Sequence, residues 1–424
     1  MSPNQTYIYL HKVEGTDGKN HNKFYEMKAN SDGTFTATYG REGAAKPQTE
    51  TYPMSKWDAK YKEKIGPKKG YTDVTQFRSV STTTSSLVKD SKGQVISTDK
   101  EVVDLVAKLQ LYANVATAAS YKVEAKSVTQ AQVDAAQEQI DNLANAVKKY
   151  HGKPTWNLDN FNKALTKLMI IIPRKMTKVA DHLMKPGVDR KTLNALIDAE
   201  QDLLDSMASQ VTANAASDDS DNSKDLNKDG QVTLLEALGL EMRLATPAEF
   251  KEAKSHAKDH GHKIKRVFRV INKATQSAFD KDLSKANNDG KKTMTLWHGS
   301  RRQNWWFIVQ QGLKIRPSGA IHTGSMFGDG IYFASEDDKS MGYTDGGRWT
   351  GGGKSGNTYM ALYDVRVGKQ FETKSSDWGL SFNKIQSKGG YDSTWGQKGP
   401  SLFRHEYIIY RSEQSTIKYL VEFD

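Results

Sequence analysis

The sequence predicts a multidomain α+β protein, with a small strand-rich domain closed by one helix, a helical middle, and a mixed α+β C-terminal domain. Three observations carry this. Residues 6–74 fall into short alternating runs (YIYLHKV, NKFYEMKA, GTFTATYGREG) separated by Gly and Asp/Asn turn signals. From residue 101 to about 211 the apolar residues recur at three- and four-residue steps. After about residue 263 strand-like runs return, and the last third carries most of the Gly and Trp.

A chain of 424 residues exceeds one ordinary core, so two or three domains are expected. There is no cysteine, which excludes disulfides and every zinc or iron–sulfur site that needs thiolates. The formal net charge of +11 leans toward a polyanionic partner. The opening MSPNQTYIYL lacks the basic and apolar regions of an export signal, and the longest purely apolar run is residues 168–172. A soluble protein with no membrane partner is expected.

In chain order, the first domain spans residues 1–77: three strand runs, then a helix with Trp57, Tyr61 and Ile65 at near-helical spacing, then Gly70-Tyr71. Residues 78–100 are Ser/Thr-rich and polar, which suits a linker. Residues 101–250 read as a helical bundle. One set of apolar positions is Val102, Leu105, Val106 and Leu109; a second runs from Val133 through Ile140 to Val147; a third holds Phe161, Leu165 and Leu168; a last holds Leu193, Ile197, Leu204 and Met207. Thr129 and Gln132 fit a capping box at the start of the second set. An acidic, Ser/Asn-rich stretch (ASDDSDNSKDLNKDG) is expected to interrupt these helices, and residues 251–424 form the C-terminal domain.

Chemistry concentrates in three words of that last domain: LWHGSRRQNW (residues 296–305), TGSMFGDGIYFASEDDKSMGY (323–343) and HEYIIY (405–410). In order, spacing and flanking residues they resemble the His-Tyr-Glu signature of the poly(ADP-ribose) polymerase catalytic domain, over roughly the last 160 residues. The resemblance implies transfer of ADP-ribose from NAD+ with release of nicotinamide. Breaking that bond passes through an oxocarbenium-like state that a carboxylate stabilises, and the matching carboxylate is Glu406. Nicotinamide is a flat aromatic amide, needing an aromatic face, a donor and an acceptor. By resemblance Tyr343 stacks on it, the Gly299 backbone holds its amide and the Ser340 hydroxyl completes the contact. His298 then binds a ribose hydroxyl, Tyr332 is the triad tyrosine, and Ser300, Asn304 and Lys314 face the adenosine half. Three positions depart from the family pattern: Lys314 replaces an arginine, Phe307 a glycine and Ser325 an aromatic residue.

A second resemblance is N-terminal. NKFYEM, TYGREG and AKYKEKIGPKKGYTDV follow the pattern of the WGR domain, with Tyr39-Gly40-Arg41 in place of Trp-Gly-Arg. An aromatic beside an arginine, with the lysines at 56, 60, 62, 64, 68 and 69, suits the phosphates and exposed base pair of a DNA end. Tyr39, Arg41, Lys68 and Lys69 are the candidate DNA contacts. The helices between resemble the family's helical regulatory domain in the words VVDLVAKL and FNKALTKLMIIIP. Within the acidic stretch, DLNKDGQVTLLE fits an EF-hand loop, making Asp225, Asn227, Asp229, Gln231 and Glu236 candidate calcium ligands.

Together these readings imply a DNA-break-stimulated, NAD+-dependent poly-ADP-ribosyltransferase, autoinhibited by its helical domain, that modifies acceptor proteins including itself. The alternatives are a mono-ADP-ribosyltransferase and a catalytically silent DNA-end scaffold. The implied location is the nucleus of a eukaryote or the bacterial cytoplasm, beside the nucleoid.

Overall fold

The computed structural model describes residues 6–16, 18–77, 97, 99–121, 128–150, 156–222, 233–315, 326–347, 357–400 and 402–424, residues 216–222 by their backbone. Most of the expected linker, Ser325, and the candidate calcium ligands Asp225, Asn227, Asp229 and Gln231 lie outside the described residues.

The N-terminal elements are β1 (Tyr7–Glu14), β2 (His21–Ala29), β3 (Thr34–Arg41), β4 (Gln48–Pro53), α1 (Trp57–Ile65) and β5 (Thr72–Asp73). Helices α2 (Lys100–Ser120), α3 (Gln130–Lys148), α4 (Leu158–Ile171), α5 (Arg190–Asn222) and α6 (Leu234–Ala237) follow. Then come β6 (Leu240–Leu244), α7 (Pro247–His256), β7 (Ile264–Asn272), α8 (Lys273–Lys285), β8 (Thr293–Gly299), α9 (Trp305–Gln311), β9 (Ile331–Phe333) and α10 (Asp337–Met341). The chain ends with β10 (Thr358–Arg366), β11 (Gln370–Thr373), α11 (Phe382–Gly389), β12 (Ser393–Gly396), β13 (Glu406–Ile409) and β14 (Ser415–Phe423). These residues form two compact units, 1–86 with 116–207 and 87–115 with 208–424, the cuts falling within α2 and α5.

In the first unit an antiparallel sheet runs β4-β3-β2-β1-β5. Strand alternation puts Ile8, Leu10, Tyr25, Met27, Phe35 and Ala37 into one core, which Trp57 of α1 closes edge-on to Phe35 at 5.1 Å. On β1 His11 is also buried, and its Nδ1 donates to the carbonyl of Ile170 on α4, 3.1 Å away. Thr129 caps α3 by accepting from the Gln132 amide N–H, but the box is only half formed, because the Gln132 side chain donates to the Ile171 carbonyl. Arg174 and Glu200 form a buried ion pair, with Arg174 lying over the ring of Tyr121 at 5.0 Å. The acidic stretch does not end α5 where its composition suggested, since the helix continues to Asn222. Once nucleated, a helix extends through Asp and Ser one residue at a time at small cost.

The second unit holds a five-stranded sheet, β6-β7-β14-β10-β8, and a four-stranded sheet, β11-β12-β13-β9, in which only β11 and β12 are parallel. Its core takes Val102, Leu105, Val106 and Leu109 of α2 together with Trp305, Trp306 and Tyr359. Arg266 of β7 pairs with Glu101 and Asp104 of α2 and with Glu422 of β14. The first half of α2 is thus integral to this unit. Helix α9 is buried all round, which accounts for its run of Trp, Trp, Phe, Ile and Val. Among the described residues no helix is long and apolar enough to cross a membrane.

Candidate active site

Reciprocal backbone hydrogen bonds between Trp297 and Ala334, 2.8 and 2.9 Å, join the end of β8 to the residue after β9. That junction brings His298 beside Tyr332, with Nδ1 3.0 Å from the Tyr332 carbonyl oxygen. A carbonyl only accepts, so Nδ1 carries the proton and Nε2 offers a lone pair. Trp305, Phe333 and Tyr363 surround the imidazole edge-on at 6.5, 5.7 and 6.1 Å. Burial among these rings pulls the His298 pKa down to about 4, so at neutral pH the ring is an uncharged acceptor at Nε2.

The Tyr332 hydroxyl donates to the Gly328 carbonyl at 2.8 Å and accepts from the Phe327 N–H at 3.0 Å, which ties the loop before β9 onto the strand that follows. Burial raises this phenol far above the usual range. Because Tyr332 pairs with Ile408, β13 lies alongside β9 and its first residue, Glu406, enters the same pocket. Glu406 as a residue is 3% exposed. Its Oε1 sits 2.7 Å from Lys339 Nζ, while Oε2 is buried without a hydrogen-bond partner. Burial raises the carboxyl above its ordinary value, and Lys339 pulls the other way.

Lys339 and Ser340 lie on α10, which presses against Gly299. A Cβ at Gly299 would stand 1.9 Å from the Ser340 carbonyl oxygen, so no other residue fits that approach. Ser340 is buried, and its carbonyl accepts from the Tyr343 N–H at 3.1 Å. Burial, with the Glu406 charge nearby, raises the Tyr343 phenol. Across the pocket Ser300 Oγ accepts from Asn304 Nδ2 at 3.1 Å. The Arg302 N–H donates to Asp345 at 2.6 Å, and the Arg302 guanidinium lies over the ring of Tyr112 at 5.2 Å.

The three words thus bring His298, Gly299, Tyr332, Ser340, Tyr343 and Glu406 together, and the hydrogen bond to Asn304 holds Ser300. Lys314 is exposed and lines a second cavity of about 260 Å³, formed with Thr275, Gln310, Leu313, Tyr363 and Thr416, whose lining contains none of those six residues. The reading from sequence did not assign Lys339, although it stands one residue before Ser340 in a quoted word. A lysine in an acidic run is more often solvated, and only the fold turns it onto Glu406.

On the first unit, Tyr39 stacks on Tyr25 at 5.6 Å and donates to Glu50. Lys68 and Lys69 are exposed beyond α1. Arg41 does not project freely: its guanidinium donates to the backbone carbonyls of Asn20 and Thr177, tying the end of β3 to residues beyond α4. For the calcium reading, Glu236 is the one described ligand, and its carboxylate accepts from the Thr233 N–H and hydroxyl, closing a capping box on α6. Among the described residues no cluster of His, Asp or Glu could hold a metal.

Three features fit a flat amide joined to a ribose: a close approach that only glycine permits, a buried serine hydroxyl, and an unpartnered carboxylate oxygen beside a neutral imidazole. The model of the poly(ADP-ribose) polymerase catalytic domain matches residues 248–424. The poly(ADP-ribose) polymerase-like protein 100L of Invertebrate iridescent virus 6 is 32% identical over 161 residues, 37% of this chain and 83% of that protein. Poly(ADP-ribose) polymerase 2 of Homo sapiens is 32% identical over 177 residues, 33% of this chain and 30% of that protein. The 2-B enzyme of Oryza sativa is 31% identical over 195 residues, 39% of this chain and 31% of that protein. The chain therefore spans about a third of these longer relatives.

Proposed function

The chain belongs to the poly(ADP-ribose) polymerase family and is an NAD+-dependent ADP-ribosyltransferase, and from that premise we propose that it is a DNA-break-stimulated enzyme that builds ADP-ribose polymer on acceptor proteins, itself included. The observation that carries the chemistry is the meeting of His298, Tyr332 and the Lys339-paired Glu406 in one pocket.

Nicotinamide lies between Tyr343 and the Gly299 backbone, with the Ser340 hydroxyl on its carboxamide. His298 accepts from a ribose hydroxyl through Nε2, and Ser300 and Asn304 face the adenosine half. As the bond between ribose and nicotinamide breaks, positive charge develops on the ribose, and the ionised Glu406 carboxylate lowers its energy. The acceptor oxygen then bonds to the ribose carbon as nicotinamide leaves with the bonding pair, and the acceptor's proton passes to Glu406. Lys339 favours the ionised form of Glu406, opposing the burial that favours the neutral acid.

The five-stranded N-terminal sheet with α1 acts as a WGR domain, contacting a DNA end through Tyr39 and the exposed Lys68 and Lys69. The long helices α2 to α5 form the regulatory segment, which keeps NAD+ out until DNA shifts the population toward the open state. Deleting everything before residue 262 is a poor test of that block, because it would also remove β6 and the buried Val102, Leu105, Val106 and Leu109. Loosening the helices in place is cleaner. Leu168→Ala removes a fully buried side chain of α4 and should raise DNA-free activity severalfold. The direct test of function incubates the purified chain with labelled NAD+, with and without nicked DNA, and sizes the products. Polymer that grows on adding DNA is expected. Single ADP-ribose units whatever the DNA would leave a mono-transferase.

A further inference from the structure

We infer that Asp337 is a positioning residue for the transfer reaction: its buried carboxylate anchors α10 to the connection between α7 and β7, and so sets where Lys339 and Ser340 stand. The inference rests on the nicotinamide site proposed above.

Helix α10 has five residues, too few to hold itself in place, so its position must be imposed by its surroundings. On one side it meets Gly299, where nothing larger than hydrogen fits. On another, Arg404 pairs with Glu336 at 2.9 Å and Asp338 at 3.6 Å, partly exposed contacts that add little. Asp337 differs in kind. It is the first residue of the helix and 0% exposed, and its side chain reaches out of the helix. Oδ1 accepts from the Asp259 N–H at 3.1 Å, and Oδ2 accepts from the His260 N–H at 2.7 Å. His260 Nδ1, 3.1 Å from Oδ2, must also donate, since a carboxylate only accepts. Three donors on one buried carboxylate make a stiff, charge-assisted anchor.

Two and three residues further on stand the groups that matter. Lys339 sits 2.7 Å from Glu406, and the Ser340 carbonyl lies against Gly299. A displacement of α10 moves both at once, the ion pair that holds the carboxylate and the hydroxyl that meets the carboxamide. A misplacement of about 1 Å is enough to cost on the order of a hundredfold in rate.

Asp337→Asn keeps the size but turns one acceptor oxygen into an amide donor facing N–H groups. On the full chain, kcat should fall roughly 30- to 100-fold. Benzamide, which probes the nicotinamide side, should bind about tenfold more weakly, while ADP-ribose, which probes the other half, should stay within about twofold. His260→Ala removes the ring donor and leaves the two backbone donors, so the same split should appear at about threefold. A folded Asp337→Asn enzyme with wild-type kcat and benzamide affinity would overturn the inference, as would equal losses of benzamide and ADP-ribose binding that follow the melting temperature. If Asp337→Asn does not fold, His260→Ala decides by the same split. A wild-type chain that fails to bind benzamide would remove the nicotinamide site itself, whereas normal wild-type binding with an indifferent Asp337→Asn removes only the anchor.

Discussion

The pocket around Glu406 and the face of the N-terminal sheet that carries Tyr39 and Arg41 both match short family words, but they hold their polar groups in different ways. In and beside the pocket Glu406, Ser340 and Asp337 are almost unexposed, and Glu406 and Asp337 each meet a specific partner. In the N-terminal domain Lys68 and Lys69, beyond α1, stand in solvent, and Arg41 at the end of β3 is engaged with the chain's own carbonyls. Buried polar groups act through geometry and fail abruptly when one partner goes, whereas exposed charges act through summed potential and fail in small steps. The pocket should therefore be intolerant of single substitutions and the sheet tolerant.

The comparison is tested most severely at Glu406. Glu406→Gln keeps size and hydrogen bonding but removes the charge, and should lower kcat by about 10²- to 10³-fold with NAD+ binding retained. Polymer at the wild-type rate would mean that the buried carboxylate is not the stabilising group. Gly299→Ala comes next. Its Cβ would collide with the Ser340 carbonyl, so we expect about 1–3 kcal/mol of destabilisation by denaturant melts and lost benzamide binding.

Lys339→Met probes electrostatics within the pocket. Burial already raises the Glu406 carboxyl and Lys339 lowers it, so removing the lysine leaves burial unopposed. The protonated, inactive acid then persists to higher pH. The acid limb of the kcat profile should move upward, with about tenfold lower activity on its flank. His298, with its pKa down at about 4, should add no limb between about pH 5 and 8. An unmoved acid limb would show that the lysine does not govern the carboxylate.

The sheet should give the smallest effects. Arg41→Ala should cost about 1 kcal/mol of stability through its lost contacts to Asn20 and Thr177, and should reduce DNA-stimulated activity more than DNA-free activity. Replacing Lys68 and Lys69 by Ala should lower the slope of log affinity for DNA against log salt by about 2, leaving the melting temperature unchanged. A loss on the sheet as steep as that of Glu406→Gln would erase the distinction between the two regions.

The strand runs of the N-terminal sheet, the apolar faces of the helices and the three catalytic words were legible because each depends on local periodicity or on a short stretch of chain. Less legible was anything set by distant partners. Thr129 and Gln132 have the composition of a capping box, yet Gln132 turns to Ile171 because α4 offers an unpaired terminal carbonyl. Glu236 has the composition of a calcium ligand, yet its carboxylate closes a helix N-terminus. Arg41 reads as a DNA contact, and the fold also ties its guanidinium to the carbonyl of Thr177, a residue far along the chain.

By itself, the sequence determined the kinds of element and picked out His298, Tyr332 and Glu406 as candidates, since residue types at fixed spacing are local information; it did not give the division of the chain, whose two units part within α2 and α5. The tertiary structure alone decided that Lys339 faces Glu406, that Gly299 is closed against Ser340, that the first half of α2 packs with the catalytic sheets, and that Asp337 ties α10 to the turn at His260. Each of these joins residues from separate elements, and a contact between separate elements exists only once sheet register and helix packing have brought them together.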